Sequence, residues 1–445
     1  METSATSALV ETIEPNAFQK PDIGFNSYRI KVFILSLTMF CSIGPFFVWS
    51  NLYLGIGFYI FKFLELLTIV ILLTTIDKKY NYRKRLLGSI TIFGIFLFLA
   101  FFTGVKGGTY LPITAVGNVV TFTSFALLIM AEEKCLFDSF NLLKTIFTVV
   151  IAYTLIIHLL VLVHVPIPST VLASNEEGRT LVSGQSYLNY LGCLFIQSPF
   201  IIRMERFTSV FSEPGVVGTI SAFFLVADDF RIKKDKRNLV LLVGGIFSLS
   251  LAFILLSFVS LLLRQLQKGA YRTFWVMFIL LLTYLLFMNI TFSNRNLSSL
   301  QQRLTYDENR LLGDNRIKEY AQLEYEDFLQ GDLKTVLLGY GNAYENPTTN
   351  VNFWQGSATY KRQVFQYGVI GFGIYLLWII FVPYNCFKTK DKAANNRMIV
   401  YIVAFVASIY QRPNMSTLFF LYFLIAGCVF AKFCIRSENT VEASQ

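Results

Sequence analysis

The chain has 445 residues, 54% of them hydrophobic and 15% charged, with a formal net charge of +10 and a mean hydropathy of +0.55. A soluble domain of this length carries about 25% charge, so the composition excludes a soluble enzyme. The excess positive charge sits in short loops between apolar runs, which is an orientation signal and excludes a nucleic-acid surface as its cause.

Residues 1–28 are polar and include Glu2, Glu11, Glu14 and Asp22. No basic stretch precedes a short apolar core there, so a cleaved signal peptide is not expected and the first helix is read as an uncleaved signal. Apolar runs of about 20 residues then recur from Ile30 to Phe433, the pattern of a polytopic membrane protein. The basic loops 77–85, 231–237, 264–272 and 388–397 are placed inside by the positive-inside rule. Parity then gives about twelve membrane helices, with both termini cytoplasmic. The spans are drawn at 31–51, 56–76, 87–105, 110–131, 145–166, 214–230, 239–250, 251–263, 273–292, 362–383, 398–411 and 415–433. The chain divides into a cytoplasmic tail (1–28), a transmembrane bundle (29–292), an outer loop (293–361), C-terminal helices (362–434) and a second tail (435–445). The fold class is all-α.

Three segments depart from plain spanning helices. The run 238–264 has basic loops on both sides, so it is split at "SLS", Ser248–Ser250, into a broken pair; such breaks need burial in protein or a wet cavity. Residues 186–202 fall on the outer side by parity, within the outer segment 167–213, and are expected to lie in the interface or dip in and return. Residues 293–361 are the one long hydrophilic stretch. Spacing over 310–328 reads as helical, and "GYGNAYENP" reads as turns. A long structured outer loop is usually functional.

The candidate site begins with "RFTSVFSEP" (206–214). Pro214 suits the first position of a helix and pushes Glu213 extended. The helix start then faces outward, where its N–H groups favour an anion. Arg206 adds a guanidinium suited to phosphate oxygens. Glu213 either deprotonates a hydroxyl or holds Arg206, and the pair also fits an interfacial anchor for the helix. Arg310 and Arg316, near Arg303 and Lys318, either form a second cationic cluster on the same side or belong to a solvated surface. Arg412, in the short outer turn "YQRPN" (410–414), stands against the positive-inside bias; it serves a site or snorkels at the interface. Lys62 and Glu65 share one helix face and form either a functional pair or a mutual ion pair. His158 and His164 read as packing residues in the fifth helix. Cys41, Cys135, Cys193, Cys386, Cys428 and Cys434 form no CxxC pair and read as packing residues as well. No DxD motif or histidine cluster occurs in an outer segment, so no metal is expected, and no P-loop is present. "GVIGFGIY" (368–375) is discounted as a glycine fingerprint because it lies inside a span.

In their order and sidedness these motifs resemble the bacterial O-antigen and capsular polysaccharide polymerases of the Wzy type, related to the O-antigen ligases. The resemblance runs through "RFTSVFSEP", the broken pair "FSLSLAF", the outer-loop stretches "NRLLGDNR" and "LLGYGNAY", and the final hairpin with "QRPN". It implies similarity to the GT-C-type glycosyltransferase superfamily. The implied activity is a metal-independent and cofactor-free glycosyltransferase at the outer face of the inner membrane. It would join undecaprenyl-diphosphate-linked oligosaccharide repeats, with Arg206 and Glu213 catalytic and with Arg206, Arg310, Arg316 and Arg412 on the diphosphate. Membrane lipid is an implied partner, and a chain-length regulator protein is a further one. Two departures stand out. Relatives often carry Ser-Arg at the broken helix, where Ser250 is here followed by Leu251, and the ligases use an outer-loop histidine that this chain lacks. The ligase, and a lipid-linked oligosaccharide flippase, are the alternative functions.

Overall fold

A computed structural model describes residues 25–49, 56–78, 81–106, 112–173, 186–198, 201–203, 206–290, 301, 306–307, 310–311, 319–341, 359–410 and 417–433. The chain is mostly helical. In order, α1 is Phe25–Ser42, α2 Phe46–Trp49, α3 Ile56–Thr74, α4 Tyr82–Lys106, α5 Pro112–Met130 and α6 Glu133–Leu162. A sheet of β1 (Thr170–Ala173), β2 (Ser186–Tyr190), β3 (Cys193–Ser198) and β4 (Ile201–Arg203) follows. Next come α7 (Pro214–Ala227), α8 (Arg237–Phe247), α9 (Leu251–Lys268) and α10 (Ala270–Asn289). Then come β5 (Tyr306–Asp307), β6 (Arg310–Leu311), α11 (Glu319–Gln330) and α12 (Leu333–Leu338). The chain closes with α13 (Tyr360–Phe387), α14 (Lys392–Ile409) and α15 (Leu418–Phe433). By length and composition, α6 and α13 are apolar enough to cross a membrane, and several shorter helices, α7, α8 and α15 among them, are apolar too.

The centre of the bundle is α7 and α15. Every residue of α7 except Val216 is buried, as a helix apolar all round must be. Phenylalanines knit these two to α6: Phe140 lies 5.0 Å from Phe224 and 5.6 Å from Phe423, and Phe147 lies 5.7 Å from Phe224. Helices that meet in lipid gain little from the hydrophobic effect, so close packing of such rings holds them together.

Four readings of the sequence need correction. The fold is not all-α: β1–β2–β3–β4 is an antiparallel sheet, with Leu188 opposite Phe195 and Ile196 opposite Arg203. Residues 186–202, expected in the interface or as a re-entrant dip, supply three of its strands. The turn at Leu191 (φ 49°) and Gly192 (φ 95°) makes a hairpin of what reads as one apolar run. The fifth span starts at Glu133 rather than at residue 145, because Lys144 is buried inside the helix and ion-paired. Helical spacing at residue 310 also fails, since Arg310–Leu311 is a strand paired with Tyr306–Asp307, and the helix there begins at Glu319.

The break at Ser248–Ser250 falls where expected. Leu249 turns left-handed (φ 46°), and Ser250 is the extended residue before α9. Two small neighbours make the corner tight. A Cβ on Gly245 would sit 2.2 Å from the Phe253 ring, and one on Gly244 would sit 2.6 Å from Ile151 of α6. A second break, at Gly368 (φ 70°, ψ 174°), divides α13. The carbonyls freed there accept from the segment after α12: Tyr340 N–H bonds Phe365 O at 2.8 Å, and Gly341 N–H bonds Gln366 O at 3.0 Å. Both glycines of the contact are required. A Cβ on Gly339 would lie 2.4 Å from Gln366 O, and one on Gly368 would lie 2.1 Å from Leu337 O. "GYG" and "YGVIG" are therefore two halves of one clasp tying the end of α12 to the first part of α13.

Candidate functional site

Segment 206–213 leads into α7 and is held from two sides. Phe46 N–H bonds Val210 O at 2.8 Å, next to a bridge between Pro45 and Phe211, so the α1–α2 turn lies against it. Phe207 N–H bonds Phe247 O at 3.1 Å, which brings in the α8–α9 break. Beneath it, Phe195 of β3 stacks on His158 of α6 at 5.1 Å and 9°. His158 is buried between Phe195 and Phe207, the packing role expected of it; His164 lies just past the end of α6.

Glu213 is the residue before α7, extended at φ −137°, ψ 135°, with Pro214 opening the helix. This is the local geometry its proline predicts. Its carboxylate makes no capping bond to the N–H groups of its own helix. Glu213, Ser212 and Val216 are half-buried, so the head of α7 keeps an open side.

The guanidinium of Arg206 is directed at the helix break. Its Nε donates to Ser248 O at 3.3 Å and one Nη to Leu249 O at 3.4 Å. These are carbonyls that the end of α8 leaves without intrahelical donors, so Arg206 caps α8 and adds a cation at its negative pole. The break in turn presses on α7. A Cβ on Gly218 would lie 2.4 Å from Ser250 Cβ, and 2.9 Å from Ser248 Oγ. Arg206, the Ser248–Ser250 corner and the first turns of α7 thus form one contiguous cluster. Ser250–Leu251 offers no cation of its own, and Arg206 supplies one at that place.

Of the other expected residues, Arg310 lies in β6 with Asp307 opposite it in register. Arg316 and Arg412 lie outside the described residues, as do Arg303, Lys318 and Cys434. The chain next to Arg412 is placed, however: Tyr410 stacks on Tyr360 at 5.5 Å and 27°. The last described residue of that end of α14 therefore lies beside the start of α13. Lys62 and Glu65 form the mutual ion pair at 2.8 Å, and Thr121 donates to Glu65 at 3.0 Å.

Sequence reasoning missed a buried ionic network at the other end of α7. Lys144 Nζ lies 2.6 Å from Asp228 and 2.8 Å from Asp235, with its side chain fully buried. Asn238 donates to Asp228 at 2.7 Å, Arg231 bonds the same carboxylate, and Arg237 bonds Asp235 at 2.7 Å. Because α7 ends at Ala227 and α8 starts at Arg237, both carboxylates belong to the loop between the helices. Burial pushes both carboxyls up, but the charge and hydrogen bonds of Lys144, with Arg231 and Asn238 on Asp228 and Arg237 on Asp235, outweigh it and hold both below the usual carboxylate range. A second network joins Arg85 to Glu133 (2.7 Å) and Asp77 (3.3 Å), and Lys432 to Glu133 (2.6 Å). The available signal was the acidic pair in "VADDFRIKKDKRN", which the sequence presents only as a basic orientation loop. The five described cysteines are buried free thiols.

Compared with known protein families, with curated proteins and with solved structures, the chain matches none.

Proposed function

We propose that the chain is a membrane glycosyltransferase that polymerises undecaprenyl-diphosphate-linked oligosaccharide repeats at the outer face of the bacterial inner membrane, in O-antigen or capsule synthesis. The observation that carries this reading is the cluster of Arg206, the Ser248–Ser250 corner and the head of α7 beside Glu213. An arginine fixed by a helix break stands next to a helix N-terminus, and a carboxylate not used for capping flanks both. In this reading about twelve helices span the membrane, both termini are cytoplasmic, and the fold is a GT-C-type arrangement.

The chemistry is a displacement. An acceptor hydroxyl of one lipid-linked repeat attacks the anomeric carbon of the growing chain, and the bond from that carbon to the diphosphate oxygen breaks. Undecaprenyl diphosphate leaves with the bonding electrons, and Glu213 takes the hydroxyl proton. Negative charge grows on the diphosphate, so preplaced donors act where charge develops. The N–H groups of α7 and Arg206 serve this role, joined by Arg310, Arg316 and Arg412 from the outer segment and the last turn. The donor is already activated, so no nucleotide is consumed.

Purified protein incubated with lipid-linked repeat units tests the proposal. A ladder of products spaced by one repeat is the expected result. Transfer of a single chain to a lipid A core acceptor without a ladder would make it a ligase. Movement of the lipid across vesicles without new glycosidic bonds would make it a flippase.

A further inference from the structure

A polar recess lies at the far end of the bundle from Arg206. A cavity of about 400 Å³ lies between α9 and α14, lined by Leu261, Arg264, Gln265, Gln267, Asn396 and Arg397 among others, with Asp229 at its base. Its size is within the range of small-ligand sites, ~300–1,000 Å³. Arg264 bonds Asp229 at 2.5 Å, and Arg397 approaches the other oxygen of that carboxylate at 3.6 Å. Two guanidiniums against one carboxylate give the lining a formal excess of one positive charge. Arg264 is fixed by further contacts: an Nη donates to Val226 O at 3.2 Å, and its guanidinium lies 5.3 Å over the Phe230 ring. Gln267, also in the lining, donates to Asn396 O at 3.3 Å. Planar guanidinium donors with amides around them match the oxygens of a phosphate.

The surroundings point to a lipid as one source of that phosphate. Its lining residues Arg264, Gln265, Gln267, Asn396 and Arg397 belong to the basic loops 264–272 and 388–397, which in the topology proposed above face the anionic headgroups of the cytoplasmic leaflet. Above it the helix faces turn apolar and open. Ile254 and Leu261 on α9 are 41% and 40% exposed, and Ile399 and Val403 on α14 are 39% and 38% exposed. Ile254 stands seven residues before Leu261, on the same face of α9, and Val403 stands three after Val400, on the face of α14 that lines the recess. A headgroup in the cavity would leave its acyl chains along this lane.

We propose that this recess is a phosphate-binding site, built by Arg264 and Arg397, that takes the phosphate diester of an anionic lipid headgroup or a soluble phosphate. It is independent of the outer cluster, being separated from it by the length of α7, about 21 Å.

The test uses the full-length protein in detergent, with phosphatidylglycerol, phosphatidylcholine or inorganic phosphate added, read by native mass spectrometry and thermal midpoint. One phosphatidylglycerol is expected to be retained in preference to phosphatidylcholine, and to drop about 10-fold or more in Arg397→Gln, the loss of a charge-assisted bond. Retention against excess inorganic phosphate assigns a lipid headgroup. Displacement by inorganic phosphate, together with a rise in midpoint from phosphate alone, assigns a soluble ligand. Arg264→Gln should behave like Arg397→Gln; where it fails to accumulate, Arg397→Gln carries the test alone. Equal retention by wild type and Arg397→Gln, or no adduct and no shift with either probe, overturns the site.

Discussion

At residue scale the proposed chemistry rests on two side chains with separable duties. Glu213→Gln keeps the shape at the head of α7 and removes the base, so activity should fall by about 10² or more. Membrane abundance should hold, because Gln fills the same space and the carboxylate does not cap its own helix. A variant that still polymerises normally would return Glu213 to an anchoring role and send the search for the base to the outer segment. Arg206 combines a substrate role with a cap on Ser248 O and Leu249 O. Arg206→Lys keeps a charge but loses the fork, so it should lower both activity and thermal midpoint, with Arg206→Ala worse on both. Arg412 separates these effects. Arg412→Ala should weaken binding of undecaprenyl diphosphate in parallel with polymerisation and leave abundance near wild type. Unchanged polymerisation by Arg412→Ala would remove it from the clamp.

At the scale of elements the two breaks and the ionic network make sharper demands than the spans do. Gly218 has no room for a side chain against Ser250, so Gly218→Val should push α7 off the α8–α9 corner at a cost of about 1–3 kcal/mol. A Cβ on Gly94 of α4 would meet nothing within 4 Å, and Gly94→Ala should leave the midpoint unchanged or raise it slightly. Equal effects of the two changes would show that the corner is not tightly packed. Lys144 is the keystone between α6 and α7. Lys144→Ala removes the cation the two carboxylates share and leaves Asp228 to Arg231 and Asn238 and Asp235 to Arg237, so the loss should fall at or below the roughly 3–5 kcal/mol of breaking a buried pair outright. Adding Asp228→Asn should recover part of that loss, because one of the charges that Lys144 offset is then gone. No recovery in the double variant would mean that the contacts of Arg231 and Asn238, not charge balance, dominate the site.

At the scale of the whole molecule, sidedness and pH response follow from where the charges lie. In the proposed topology residues 293–361 face the periplasm. A cysteine placed in "NAYENPTT" (342–349) should therefore react with an impermeant thiol reagent in intact spheroplasts, and labelling only after lysis would overturn the arrangement. Asp228 and Asp235 are held below the usual carboxylate range, so the unfolded chain binds more protons than the folded one as pH falls below about 4. Their contribution is fully present above that value and is lost as pH drops through their folded pKa. The thermal midpoint should stay level from about pH 5 to 8 as far as this network is concerned, then fall in acid, and Asp228→Asn should fall less steeply.

The helices were legible because lipid imposes a crude rule: long apolar runs, with cations left in the inner loops. The break at Ser248–Ser250 was legible for the same reason, since one helix cannot return both basic flanks to one side. The extended Glu213 followed from Pro214 alone. The sheet was not legible, because a short apolar run carries no periodicity that distinguishes paired strands from a segment lying in the interface or dipping in and returning, and only the turn at Leu191–Gly192 resolves it. The start of α6 was missed because a charge reads as a boundary until its partner is known, and Asp228 lies 84 residues away from Lys144. The clasp of Gly339 on Gly368 and the seat of Arg206 on the α8–α9 corner are likewise contacts between distant segments. Local chemistry decides which residues turn, cap or span; which cation meets which carbonyl or carboxylate is decided only when the chain is packed.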